Sequence, residues 1–218
     1  MTTKDKIREL YTERASFYEW LFIDFLGWGR QLYAFFRGSN YLQSNSMVLD
    51  AGCGTGIVTR VIYRLAKESG YERIRFHAFD LTESMLEIFR HWILEQGANQ
   101  IELNRADVMK VELLPEDWKD HDLIVSSTML EYLPKYNVRS ALMNLKTLLR
   151  KGGTLLVFIT KRNLITHWLA EKWWNVNSYE ANEIKLLFHD VGFDEIEFQK
   201  LPFGWSSPIM VIEAKSES

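Results

Sequence analysis

VLDAGCGTG, residues 48–56, decides how this chain is read. Two apolar residues, Val48 and Leu49, lead into one acid, Asp50. Glycine then fills every second position, at Gly52, Gly54 and Gly56. Alternating glycines weaken a strand and support a helix poorly. They fit a turn that needs bare backbone, between a short strand, SMVLDA (46–51), and a helix starting near Ile57.

Outward from that turn, strands and helices alternate. The first helix runs to Ser69 and closes at Gly70. RIRFHAFD (73–80) reads as a second strand, and Thr82 caps a helix reaching Gln96 before Gly97. IELNRAD (101–107) and HDLIVSS (121–127) are the third and fourth strands. Val138, Ala141, Leu142, Leu145 and Leu148 recur at helical spacing up to Lys151-Gly152-Gly153. TLLVFIT (154–160) is a fifth strand, followed by a helix over Tyr179–Val191. FDEIEFQKL (193–201) and PIMVIEAK (208–215) are too close in sequence for a crossover helix, so they pair antiparallel. The expected fold is α/β: a Rossmann-like, seven-stranded, mostly parallel sheet with one antiparallel strand near the C-terminus, helices on both faces and an N-terminal helical lid. The lid is placed at residues 1–40 and the main domain at 41–218. In such sheets ligands bind at the carboxyl ends of the strands, so the glycine turn lies at the ligand edge, where side chains at Gly52 and Gly54 would hold a ligand off. The helix start there offers unpaired N–H groups.

The ligand is not obviously a phosphate. A dinucleotide loop wants G-x-G-x-x-G, whereas the third glycine here comes one position early; a Walker loop wants Gly-Lys-Ser/Thr, which is missing. Asp50 to Gly56 instead resembles the D/E-x-G-x-G-x-G signature of class I S-adenosylmethionine-dependent methyltransferases. The resemblance extends over about residues 45–215. HAFDLTESML (77–86) looks like the second motif of that family, RADV (105–108) the third, DLIVSSTMLEYL (122–133) the fourth, and LLRKGGTLLV (148–157) the loop before the fifth strand.

The resemblance implies S-adenosylmethionine as cofactor and S-adenosylhomocysteine as product. It implies cofactor contacts from Asp50, Ala51, Gly52, Cys53 and Gly54. Asp80 would accept from both ribose hydroxyls, as an acceptor-only carboxylate can. Leu81 and Met85 would pack on adenine, Asp107 and the Val108 N–H would meet the adenine edge, and Ser126, Ser127 and Met129 would line the methionine end. Tyr11 and Tyr18, on one face of the first helix, would reach the cofactor from the lid. Cys53 reads as a small filler rather than a nucleophile.

Catalytic residues are not fixed by the motifs; the candidates are Glu131, Tyr132 and His167. Methyl transfer from a sulfonium needs mainly alignment and water exclusion, with a base only when the acceptor must lose a proton. His77 and His121 read as structural, and His91 and His189 as lying on solvated or amphipathic helix faces. No metal-ligand spacing appears.

Aromatics crowd two stretches: Trp20, Phe22, Phe25, Trp28, Tyr33, Phe35 and Phe36, then Trp168, Trp173 and Trp174. They suit an apolar substrate pocket, a dimer face or a peripheral membrane contact. The expected acceptor is a small, partly apolar or aromatic metabolite. The rivals are a catalytically silent cofactor-binding or scaffold protein, and a methyltransferase acting on a protein. With 26 basic and 29 acidic residues in 218, net charge −3, nothing suggests a nucleic-acid partner. Residues 17–36 are interrupted by Glu19, Asp24, Arg30, Gly27 and Gly29, which argues against a membrane span. One cysteine and a charged, polar start suggest the cytoplasm, as monomer or homodimer.

Overall fold

The computed structural model describes residues 27–163, 177–202 and 208–216. Its seven strands, numbered along the chain, are ordered β3-β2-β1 among the first three and β4-β5-β7-β6 among the last four. The chain divides into two compact units at Asp107/Val108.

The first unit carries helix α1 (Trp28–Arg37), strand β1 (Met47–Ala51), helix α2 (Ile57–Glu68), strand β2 (Arg75–Asp80), helix α3 (Glu83–Gln96) and strand β3 (Ile101–Arg105). The three strands are parallel. β1 is buried along its whole length, which explains its continuous apolar run. Asp50 lies opposite Ala78 and Ala51 opposite Phe79, while Asp80 lies opposite Arg105. This register brings the carboxyl ends of β1 and β2 to one edge, with Asp50 and Asp80 on adjacent strands. α1 packs on α2. Trp28, Leu32, Phe35 and Phe36 are buried, and Phe35 stacks on Tyr41 with ring centroids 5.9 Å apart. Three aromatics read from sequence as pocket or surface candidates are therefore core; the reason is the strongly one-sided apolar face of α1. Trp20, Phe22, Phe25 and the tryptophans at 168, 173 and 174 lie outside the described residues.

The second unit carries β4 (His121–Ser127), helix α4 (Lys135–Thr147), β5 (Leu149–Thr160), helix α5 (Ala181–Asp190), β6 (Glu195–Gln199) and β7 (Ile209–Lys215). β4 and β5 are parallel; β7 pairs antiparallel with both β5 and β6, as the short β6–β7 connection required. Two boundaries differ from the sequence expectation. β5 begins at Leu149 rather than Thr154 and runs through Gly152-Gly153. A Cβ on Gly153 would meet the His121 carbonyl oxygen at 2.7 Å, so glycine lets the paired backbones approach. Tyr179 is not helical: it pairs with Lys161 in an isolated bridge, and α5 starts after it behind a capping box made by Glu180 and Glu183. Among the described residues no helix is long and apolar enough to cross a membrane.

All three glycines of the 48–56 turn have positive φ, at 74°, 53° and 86° for Gly52, Gly54 and Gly56. Their reasons differ. A Cβ on Gly54 would meet nothing within 4 Å, whereas one on Gly56 would lie 2.4 Å from the Phe89 ring. Gly56→Ala should therefore cost about 2–5 kcal/mol, combining left-handed strain with overpacking. Gly54→Ala should cost only the backbone strain, about 1–2 kcal/mol. Denaturant melts of the two variants check this order; equal stabilities would show that Phe89 yields freely.

Candidate functional site

The carboxyl edge of the first unit is organised by two acids. Asp80, the last residue of β2, uses both oxygens: Oδ2 accepts the Gly54 N–H at 2.9 Å and Oδ1 accepts the Thr82 N–H at 2.8 Å. The same carboxylate thus pins the glycine turn and the start of α3. The Thr82 side chain and the Leu81 N–H also bond this carboxylate. Burial raises the Asp80 pKa, and the Thr82 and Gly54 N–H groups oppose the rise.

Asp50 is buried, one residue before the end of β1. Its Oδ2 accepts both the Thr59 N–H at 3.1 Å and the Thr59 hydroxyl at 2.7 Å, so it caps the start of α2. Its Oδ1 is buried with no hydrogen-bond partner among the described residues. An orphaned buried acceptor costs about 1–3 kcal/mol, more if charged. Burial pushes the Asp50 carboxyl up to about 7, the Thr59 bonds oppose this, and the charge of Asp80 adds to it. The pairing of a capping oxygen with an orphan is invisible in sequence, because Thr59 is nine residues away and only helix geometry returns it.

The glycine turn itself departs from one expectation. Its N–H groups do not stand open: Gly52 and Cys53 donate to the Phe79 carbonyl at 2.9 and 3.0 Å, Gly54 donates to Asp80, and Gly56 donates to the Cys53 carbonyl at 2.8 Å. They hold the turn in shape against β2, and Asp50 takes the third N–H of α2. Ala51 is buried inside β1. Cys53 is buried with its thiol pushed well up by burial, then by Asp50 and Asp80, which fits a filler and not a nucleophile. Leu81 and Asp107 are partly exposed, while Met85 is buried at 3%.

In the second unit the end of β4 carries Ser126, buried with its Oγ unpartnered among the described residues, then Ser127 and Met129, both partly exposed. Val108 is buried and its carbonyl accepts the Asn144 side-chain amide at 2.8 Å. Thr128 has φ 56° and donates its N–H to the Phe158 carbonyl at 2.8 Å. A β-branched residue there is strained by about 1–3 kcal/mol, a feature that sequence gives no sign of. Glu131 is buried in the short turn Leu130–Tyr132. Its Oε2 accepts the Thr160 N–H at 2.7 Å, and burial pushes its carboxyl up to about 7, the Thr160 bonds opposing this. Tyr132 is partly exposed. Tyr179, missed from sequence, is buried with its hydroxyl unpartnered among the described residues. Tyr11, Tyr18 and His167 lie outside the described residues. His77 and His121 are buried, and His121 Nδ1 lies 2.9 Å from the Leu148 carbonyl. His91 and His189 are exposed, as their helix faces suggested.

Residues 48–153 match the family model described as a methyltransferase domain. Among curated proteins, the chain is 24% identical over 120 residues to carboxy-S-adenosyl-L-methionine synthase of Pseudomonas aeruginosa, a match covering 55% of this chain and 48% of that protein. The chain thus spans about half the length of the curated relatives it matches. Among solved structures, it resembles phosphoethanolamine N-methyltransferase 2 of Haemonchus contortus, in complex with S-adenosyl-L-methionine, at 16% identity and TM-score 0.75, over 100% of this chain and 60% of that one. It also resembles the YcgJ protein of Bacillus subtilis at 14% identity and TM-score 0.68, over 87% and 99% respectively. At these identities the structural likenesses show the fold.

Asp50 makes a signed prediction. An ordinary aspartate titrates near 3.8 and the folded Asp50 near 7, so between these values the folded chain keeps a proton that the unfolded chain has lost. Stability of the ligand-free protein should fall as pH rises from about 4 towards 7, by up to ~1.4 kcal/mol per pH unit from this group. Denaturant melts between pH 5 and 8 measure the slope. It should flatten in Asp50→Asn; an unchanged slope would mean that Asp50 ionises normally in the fold.

Proposed function

We propose that the protein is an S-adenosylmethionine-dependent methyltransferase acting on a small, partly apolar or aromatic acceptor. The observation that carries this reading is the buried, partnerless oxygen of Asp50 beside Asp80 in a methyltransferase domain. The donor set fits that cofactor. Asp50 Oδ1 suits an ammonium, the acceptor-only carboxylate of Asp80 suits ribose hydroxyls, and neither acid suits a phosphate. Gly54, with open space where a side chain would stand, leaves room for a ligand against the backbone. Met85 and Leu81 follow Asp80 on the α3 side of the turn, as an adenine platform would.

When bound, the cofactor supplies an electrophilic methyl group on a cationic sulfur with a neutral thioether leaving group. The chain's own work is then binding and alignment. Asp50 holds positive charge, and Asp80 orients the ribose while keeping the turn closed. Asp107, Val108, Ser126, Ser127 and Met129 are proposed as further contacts, with Tyr11 and Tyr18 from an N-terminal lid. A cytosolic setting fits the single, buried cysteine.

A second product deserves a direct check, because the curated relatives are carboxy-S-adenosyl-L-methionine synthases. Mass spectrometry of the cofactor after incubation distinguishes demethylation from addition of a carboxyl group.

Calorimetric titration with S-adenosylmethionine, S-adenosylhomocysteine and NADH tests the reading. The two sulfur compounds should bind and NADH should not; NADH binding alone would overturn it. Asp80→Ala should weaken S-adenosylhomocysteine binding by more than tenfold, about 1.5–3 kcal/mol for hydrogen bonds to a charged group. Undiminished affinity would remove the ribose assignment. A lid test by truncation stops before Gly27, since α1 contributes buried Leu32 and Phe36 to the first unit.

A further inference from the structure

The second unit holds a polar pair that the cofactor reading does not use. Glu131 lies just beyond β4, and its Oε2 is tied to the Thr160 N–H at the end of β5. Its backbone carbonyl accepts from the Asn177 N–H at 2.9 Å and from the Asn177 side-chain amide at 3.2 Å. No lysine or arginine among the described residues forms an ion pair with this buried carboxyl. The nearby cations are committed elsewhere. Lys135 pairs with Glu183 at 2.6 Å, and Arg162 pairs with Glu180 and Glu183 at 3.4 Å.

Tyr179 stands in the same neighbourhood. Its N–H donates to the Thr160 carbonyl at 3.1 Å, so Thr160 joins the two residues: its N–H goes to Glu131 and its carbonyl to Tyr179. The Tyr179 side chain is fully buried, with Lys135 Nζ 4.9 Å from the ring centroid. Its hydroxyl has no partner among the described residues. Burial raises this phenol well above its ordinary value, and the charges of Glu183 and Glu131 add to the rise, so it stays a neutral donor. A buried hydroxyl left without a partner costs stability, and fully satisfied buried polar groups are the rule. The phenol is unpartnered among the described residues, while the acid is bonded by Thr160 alone and has no cationic partner there; the two are joined through Thr160.

We infer that Glu131 and Tyr179 form the binding site for the acceptor's nucleophilic group, a hydroxyl whose oxygen carries an exchangeable proton and two lone pairs. This rests on the methyltransferase reading. The acceptor's O–H donates to the Glu131 carboxylate, one oxygen lone pair accepts from the Tyr179 hydroxyl, and the other is left for attack on the methyl carbon. In transfer, the acceptor heteroatom forms a bond to the methyl carbon, the sulfur–methyl bond breaks with its electron pair going to sulfur, and the acceptor proton passes to Glu131.

Two conservative variants test this. Tyr179→Phe removes only an unpartnered hydroxyl, so the ligand-free variant should melt at the wild-type temperature or higher. Glu131→Gln keeps an oxygen for the Thr160 N–H. The probes are phenol and ethanolamine, with binding read by saturation-transfer NMR and thermal shift. At least one probe should bind the wild type, and its affinity should fall more than fivefold in both variants. Binding to the wild type should strengthen with pH through 7 and lose that dependence in Glu131→Gln. S-Adenosylhomocysteine affinity should be unchanged in both variants, which separates this site from the cofactor site. A Tyr179→Phe melting temperature lowered by several degrees would mean the hydroxyl has a structural partner, and the inference falls. It also falls if neither probe binds the wild type, or if both variants bind as well as the wild type does. Failure of the wild type to bind S-adenosylhomocysteine would strike the methyltransferase reading itself, independently of the probes.

Discussion

The hydrogen bond from the Gly54 N–H to the Asp80 carboxylate joins the carboxyl ends of two adjacent strands, and the geometry of the first unit's site depends on it. With the Thr82 N–H on the other oxygen, it fixes the glycine turn against the start of α3. The turn must curl back through positive φ at three positions to present that N–H. Only glycine reaches those angles without strain. Asp50 then sits one residue before the turn, close enough to Asp80 for the two charges to oppose one another. An acid pair of this kind is unfavourable unless something positive or hydrogen-bonding shares it.

That tension links fold to function. The turn is internally satisfied, so its shape exists before any ligand arrives. Among the described residues Asp50 is only half satisfied: one oxygen caps α2 and the other is orphaned. Preorganised backbone with a deliberate electrostatic vacancy is what selective binding of a cation requires, because the protein need not reorganise when the ligand enters. The second unit repeats the theme on a smaller scale, with Thr128 held in a strained conformation and Ser126 and Tyr179 carrying hydroxyls unpartnered among the described residues. Strain and unsatisfied polar groups gather at functional places in proteins that are otherwise locally consistent.

Much of this was legible in the residues. The seven strands and the helices between them follow from apolar runs, glycine stops and helical spacing. The six-residue β6–β7 connection left antiparallel pairing as the only outcome. The apolar runs placed Asp50 near the end of the first strand and Asp80 at the end of the second, and marked His77 and His121 as structural; that the two strands are neighbours came from the structure. What the residues could not show was the use of each group. Gly56 reads like Gly54, yet it makes room for Phe89 and not for a ligand. Trp28, Phe35 and Phe36 read as surplus aromatics until α1 is seen to bury them. Tyr179 carried no motif, because its importance lies in a missing partner. Local patterns specify elements; satisfaction of polar groups is decided by tertiary neighbours.

The central claim is that Asp50 is a buried acid waiting for a positive charge. Its side-chain carboxyl carbon can be followed by NMR through a pH titration, free and with saturating S-adenosylhomocysteine, using Asp50→Asn to assign the signal. The account predicts a midpoint near 7 in the free protein, falling by at least one pH unit when the ligand's ammonium arrives. A midpoint near that of an ordinary aspartate in the free protein, or one that does not move on binding, would contradict it.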